Sequence, residues 1–169
     1  MPRFALQFPP DLIPALAARF PATDDAAASA AGRAARERGH YTRTEFLLLC
    51  EWKTARSRPK VAVNSSAAIR KATRTALSDE DEGVRMVALT SLEGVGVPTA
   101  STLLHFACPE DYPLLDVRAL ESLGATARSV YPVAFWLEYL DTCRRLGREA
   151  GVSLRTLDQA LWQYSKERA

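Results

Sequence analysis

Leu89-Thr90-Ser91-Leu92-Glu93-Gly94-Val95-Gly96-Val97-Pro98-Thr99-Ala100-Ser101 reads as the end of one apolar helix, a Gly-x-Gly turn and the start of another helix. Glycine lets a chain reverse with φ > 0 at no Cβ penalty. Pro98 suits the first turn of the second helix, where a missing N–H costs nothing. Val84, Val87, Ala88 and Leu92 carry helical spacing before the turn, and Thr102 to Phe106 continue it afterwards. The spacing predicts a helix-hairpin-helix over 84–106. Amide groups of the turn and of the following helix start would face outward and could hold one phosphate without reading bases. A plain helix–helix turn is the alternative, with Thr99 an ordinary first-turn residue.

Outward from the hairpin, helix follows helix. Leu12, Ile13, Leu16, Ala17 and Phe20 keep helical spacing until Pro21. Asp24 and Asp25 open an Ala-rich helix that ends near Gly39, where alanine favours helix. Thr42-Arg43-Thr44-Glu45 has the form of a capping box. It opens a helix, Phe46 to Trp52, apolar nearly all round and therefore central. Arg56-Ser57-Arg58-Pro59 reads as a loop, and Asn64-Ser65-Ser66 caps the next helix. Val133 to Leu140 and Leu154 to Tyr164 mark two more core-facing helices. No alternating stretch is long enough to ask for a sheet, so the fold class expected is all-α with nine or so helices in one compact unit, 1–169.

Composition excludes several classes. At 47% apolar and 25% charged, the 169 residues are those of a globular domain. No apolar run approaches the roughly 20 residues that cross a bilayer. The N-terminal MPRFALQFPPDLIP lacks a signal-peptide core, which predicts a cytoplasmic protein, nucleoid-associated if bacterial. Cys50, Cys108 and Cys143 lie too far apart for an iron–sulfur loop or a zinc knuckle, and there are only two histidines. No cofactor is expected.

The net charge of +2 conceals two opposed blocks. Residues 33–74 hold eleven Lys/Arg against three acids, +8; residues 75–116 hold one base against eight acids, −7. The basic block is a footprint for a polyanion. Pairing of the two blocks within the fold is the alternative.

Twenty residues after Gly96 comes Asp116, in Tyr112-Pro113-Leu114-Leu115-Asp116-Val117-Arg118-Ala119-Leu120. Leu92-Glu93-Gly94-Val95-Gly96-x-x-Thr99-Ala100 followed by Pro113-Leu114-Leu115-Asp116 resembles the helix-hairpin-helix DNA glycosylase superfamily. There a Leu-Pro-Gly-Val-Gly-x-x-Thr-Ala hairpin precedes a catalytic aspartate at this spacing. The motif covers about thirty residues, and the helical order around it extends the likeness more loosely. The resemblance implies two helical lobes with DNA and the extruded base between them. Here 41–127 would form the hairpin lobe, and about 1–40 with 128–169 the other.

By the same resemblance Asp116 is the catalytic carboxylate, stabilising the sugar cation as the N-glycosidic bond breaks. Its plain alternative is an N-cap for the helix from Val117, and the two roles are compatible. Gly94, Val95, Gly96 and Thr99 fall on the phosphate-gripping hairpin. The carbonyls of Thr90, Leu92 and Val95 fall where the family often holds a monovalent cation. Bifunctional members carry a Schiff-base lysine where this chain has Pro98, so β-lyase chemistry through that position is excluded. Glu93 replaces the usual proline and puts a negative charge near the phosphate site. Arg118 could pair with Asp116 or contact a phosphate. The chain is short for the family.

Around this motif, Lys53, Arg56, Arg58 and Lys60 are candidate backbone contacts. Trp52 and Tyr112 are candidate walls of a base pocket, with core packing as the alternative. Three functions follow: a monofunctional DNA glycosylase on a damaged base, a non-catalytic hairpin protein bound to the DNA backbone, and a helical protein–protein module.

Overall fold

A computed structural model describes residues 3–169. Ten α-helices account for the regular structure among them: α1 Ile13–Ala18, α2 Ala26–Arg38, α3 Arg43–Lys53, α4 Arg58–Val61, α5 Ser66–Ser78, α6 Glu82–Thr90, α7 Val97–Ala107, α8 Val117–Ser122, α9 Val133–Ala150 and α10 Leu154–Glu167. The all-α expectation is met, and no strand occurs among the described residues. No helix there is long and apolar enough to cross a membrane.

Local chemistry fixes most helix ends. Thr42 and Glu45 form the expected capping box, Glu45 N–H to Thr42 Oγ1 (3.2 Å) and Thr42 N–H to Glu45 Oε2 (2.9 Å). Ser65, Asp81, Asp116 and Ser153 each accept a first-turn amide of α5, α6, α8 and α10. Gly39 ends α2 at φ +91°, the left-handed cap expected there. The 56–59 stretch corrects the loop expectation. A 3-10 turn, Ala55–Ser57, runs into α4, and Pro59 lies in the first turn of α4, where proline is tolerated.

Helix α7 is the central element. Every residue of it except Pro98 is buried. It packs on α2, α3 and α6. The Ala-rich face of α2 has a tertiary reason beyond propensity. Ala28, Ala31, Gly32 and Ala35 are its buried residues, and a Cβ on Gly32 would overlap the Phe106 carbonyl. Small side chains let α2 lie directly against α7, and a larger residue at Gly32 would force the two apart. The remaining helices gather around α10, which packs on α1, α8 and α9. The N-terminal segment joins them through Ala5 N–H to Leu123 O (2.9 Å) and Gln7 N–H to Ser122 O (3.0 Å). These contacts run across the expected boundaries: α2, from the first forty residues, packs with the hairpin helices, and α8 packs on α10.

Candidate nucleic-acid site: hairpin, loop and Asp116

The turn between α6 and α7 is held from below. Asn64, buried, accepts Glu93 N–H on Oδ1 (2.9 Å) and donates through Nδ2 to Glu93 O (2.9 Å) and Val61 O (2.8 Å). Gly94 has φ +75°, and a Cβ there would lie 2.7 Å from Lys60 Cβ and 3.0 Å from Val61 N. Left-handed backbone and close approach both require glycine at this position. Gly96 is different. Its φ of −93° and ψ of 179° are extended backbone open to any residue, which corrects the reading of both glycines as left-handed.

The exposed amides are fewer than the sequence suggests. Glu93 N–H is taken by Asn64, and Val95 N–H donates to Leu92 O (3.2 Å). Gly94 and Gly96 are exposed, and their N–H groups have no partner among the described residues. Val95 and Thr99 are buried, Val95 at 6% exposure inside the turn. Of the three carbonyls with a cation in prospect, that of Leu92 already accepts the Val95 amide, whereas Thr90 and Val95 lie on either side of it. No group of three or more His, Cys, Asp or Glu side chains is placed to hold a metal among the described residues.

The loop leading to Asp116 is gripped at one backbone group after another. His105 Nδ1 lies 2.7 Å from Tyr112 O. A carbonyl only accepts, so the proton resides on Nδ1. Leu114 N–H donates to Asp158 Oδ2 (3.1 Å), and Tyr139 Oη donates to Leu114 O (2.6 Å). Leu115 N–H donates to Ser101 Oγ (3.0 Å), and Lys53 Nζ donates to Leu115 O (3.0 Å). Five side chains from α3, α7, α9 and α10 thus fix the backbone just before Asp116. A loop so determined presents its last residue in one orientation.

Asp116 is half-buried and caps α8, Oδ1 accepting Ala119 N–H at 2.8 Å. Its second carboxylate oxygen has no hydrogen bond from the described residues. Two ionisable groups feel its charge, Asp158 and Lys53. Burial pushes the Asp158 carboxyl well above the usual carboxylate range, and the nearby Asp116 charge adds to this. Burial lowers the Lys53 ammonium, against the pull of Asp116 and Asp158. Asp158 Oδ1 is buried without a partner.

No family model, curated protein or solved structure matches the chain. The residues singled out in the sequence are therefore read on their geometry alone. Lys60 flanks the hairpin turn at Gly94, and Arg56 is exposed without an acid partner among the described residues. Arg58 is paired with Glu51. Lys53, half-buried, is turned to the Leu115 carbonyl and not outward. Arg118 makes no ion pair with Asp116; its guanidinium lies over Trp162 (5.3 Å to the ring centroid) and reaches Ser165 Oγ (3.3 Å). The two aromatic candidates have protein partners. Tyr112 is buried, donates to Glu82 Oε2 (2.7 Å), and has the Arg85 and Arg144 guanidinium groups over its ring at 5.9 and 5.2 Å. Trp52 meets Phe106 edge-on (4.8 Å), and its indole donates to Asp25 Oδ1 (3.3 Å).

None of the described cavities is lined by Asp116. A groove of about 480 Å³ comes next to it along the chain, with Val95–Pro98 of the hairpin on one wall and Val117, Val130 and Tyr131 on the other.

Sequence reasoning missed Asp158, Ser101, Tyr139 and Asn64. Asp158 had a signal: it lies four residues after Leu154, on the buried stripe of α10. Ser101 had a weaker one, as one of three hydroxyls, with Thr99 and Thr102, in a largely apolar helix. Asn64 had none, since a turn asparagine beside a serine cap is ordinary.

Proposed function

We propose that the chain is a DNA-binding base-excision protein, a monofunctional DNA glycosylase in which Asp116 carries the chemistry. The observation that supports this most is the free second oxygen of Asp116 at the end of a loop clamped on both sides of Leu114. One oxygen maintains α8 while the other remains available to a developing positive charge. As the C1′–N bond breaks, its electron pair leaves with the base. The carboxylate stabilises the oxocarbenium-like sugar, water adds at C1′, and the water proton passes to Asp116. The exposed amides of Gly94 and Gly96, with Lys60 beside Gly94 and Arg56 as a further exposed cation, would hold the backbone.

A non-catalytic DNA-binding protein is the second reading. It is favoured by the filled surroundings of Trp52 and Tyr112 and by the absence of Asp116 from the described cavities. Single-turnover assays on duplexes carrying alkylated, oxidised or deaminated bases separate the two. A glycosylase releases one of these bases and leaves an intact abasic strand that breaks only on alkali or heat, since Pro98 offers no amine. Binding without release from any of them replaces the first reading by the second. A protein–protein module remains if no duplex binds at low salt.

A further inference from the structure

We propose that the exposed face of α5, carrying Arg70, Lys71 and Arg74, is a second binding surface for the DNA backbone, continuous with the hairpin turn. This rests on the DNA-binding reading and extends it to a surface outside the hairpin and the 53–60 segment.

Three observations carry it. First, these three cations stand together on one helix, are exposed and make no ion pair among the described residues, whereas eight arginines elsewhere on the chain are paired with acids. Within the basic block, Arg36, Arg38 and Arg58 are paired with Glu110, Glu45 and Glu51. The exposed cations of the block without an ion pair among the described residues are therefore the three on α5 together with Arg33, Arg56 and Lys60. Second, the face is low. Ala67 and Ala68 are the exposed neighbours, while Ile69, Ala72, Thr73 and Ala76 turn inward, so no bulky side chain holds a phosphate chain away. Residues 70, 71 and 74 lie within about 6 Å along the axis at 1.5 Å per residue, enough to follow a short run of backbone.

Third, the face joins the hairpin. A groove of about 310 Å³ runs between α5 and α6, with Lys71 and Thr75 on one side and Ser91 and Leu92 on the other. Leu92 leads straight into the Gly94–Gly96 turn, which Asn64 ties to the start of α5. The turn thus stands between two grooves, one bordered by Lys71 and the other by Val117, the neighbour of Asp116. His40 is held below its usual range by burial and then by Arg74, Arg38 and Arg70, against the opposing effect of Glu45. A backbone crossing α5 to the hairpin would meet Lys71 at the first groove and Lys60 beside Gly94.

The test is anisotropy with a labelled duplex across about 50–200 mM salt, for the whole chain. Replacing Arg70, Lys71 and Arg74 by Gln should weaken binding and flatten the log–log salt slope by about 2 to 3, at roughly 0.9 for each phosphate no longer neutralised. R70K/R74K, which retains the charges, should keep the wild-type slope. The same number of charges removed at Arg148, Lys166 and Arg168, exposed on α9 and at the C-terminal end, should leave it unchanged. If the α5 and control variants change alike, or the α5 variant keeps the wild-type slope, the second surface is refuted while DNA binding stands. If the wild type binds no duplex at low salt, both fall together. All the substituted positions are exposed, and unchanged melting curves verify that folding is not the cause.

Discussion

Asp116 does two jobs that one carboxylate has the atoms for. Oδ1 caps α8 and the other oxygen is unpartnered, so the two roles respond differently to one substitution. Asn in place of Asp116 keeps the shape and much of the capping ability but loses the charge. Loss of charge stabilisation in the transition state costs on the order of 10²-fold or more in rate. Loss of a cap typically costs about 1 kcal/mol. Asp116→Asn should therefore abolish base release in single-turnover assays, with a small change in melting and no loss of DNA affinity. A large drop in melting temperature with release intact would make Asp116 a cap alone. Gly94 and Gly96 show the same need to treat residues singly. Both belong to one Gly-x-Gly pattern, yet only Gly94 is left-handed and pressed against Lys60. The pattern specified that a turn exists, while the approach of α4 decided which glycine it depends on.

At the scale of elements, the loop 112–116 is held by groups whose protonation matters. His105 is buried, and burial lowers its imidazole to about 4, against the opposing effect of its bond to Tyr112 O. An unfolded histidine binds its proton near pH 6.5. Between pH 6.5 and about 4 the unfolded chain therefore holds more protons at this site than the folded one. Its contribution to stability is full above pH 6.5 and falls as pH drops through that window. The size is a few kcal/mol, at about 1.4 kcal/mol per pKa unit. Asp158, whose carboxyl is raised, acts in the opposite sense, favouring the fold at low pH. The difference between wild type and His105→Gln isolates the histidine, because Asp158 is common to both. Gln retains a donor for Tyr112 O. Melting temperatures of the wild type should fall more steeply from pH 6.5 to 4 than those of His105→Gln. Parallel profiles would contradict a buried neutral His105. The helices that supply these groups were largely legible from periodicity and caps. Their side chains on the loop were not, because each reaches across 7 to 62 residues of sequence.

At the scale of the whole molecule, the two charge blocks share a single ion pair, Arg36 with Glu110, among the described residues. Other pairs stay within the basic block or link the acidic one to α9, as Glu82 does with Arg144 (3.1 Å). Attraction between the blocks is thus a minor part of the folding energy, and exposed pairs contribute about 0–1 kcal/mol each. Salt screens exposed charges over about 10 Å at 0.1 M. The melting temperature should accordingly hold steady or rise slightly with added salt, as repulsion inside the basic block is relieved. A marked fall with salt would indicate a fold held by pairing of the blocks, and would argue against a surface kept free for a polyanion.

The sequence by itself determined that the chain is helical, where most helices begin, that a hairpin joins α6 to α7, and that Asp116 stands at the start of α8. These follow from local physics: 3.6-residue periodicity, hydroxyl and carboxylate caps, and glycine or proline at turns. The tertiary structure alone decided which cations remain unpaired, which aromatic rings are already packed, and how the Asp116 loop is held. Those outcomes depend on partners brought together from distant segments, as Asp158 is with Leu114 and Lys53 with Leu115. The presence of an arginine, a tryptophan or a lysine is written in the chain; whether it has a free face is settled only when other helices pack against it.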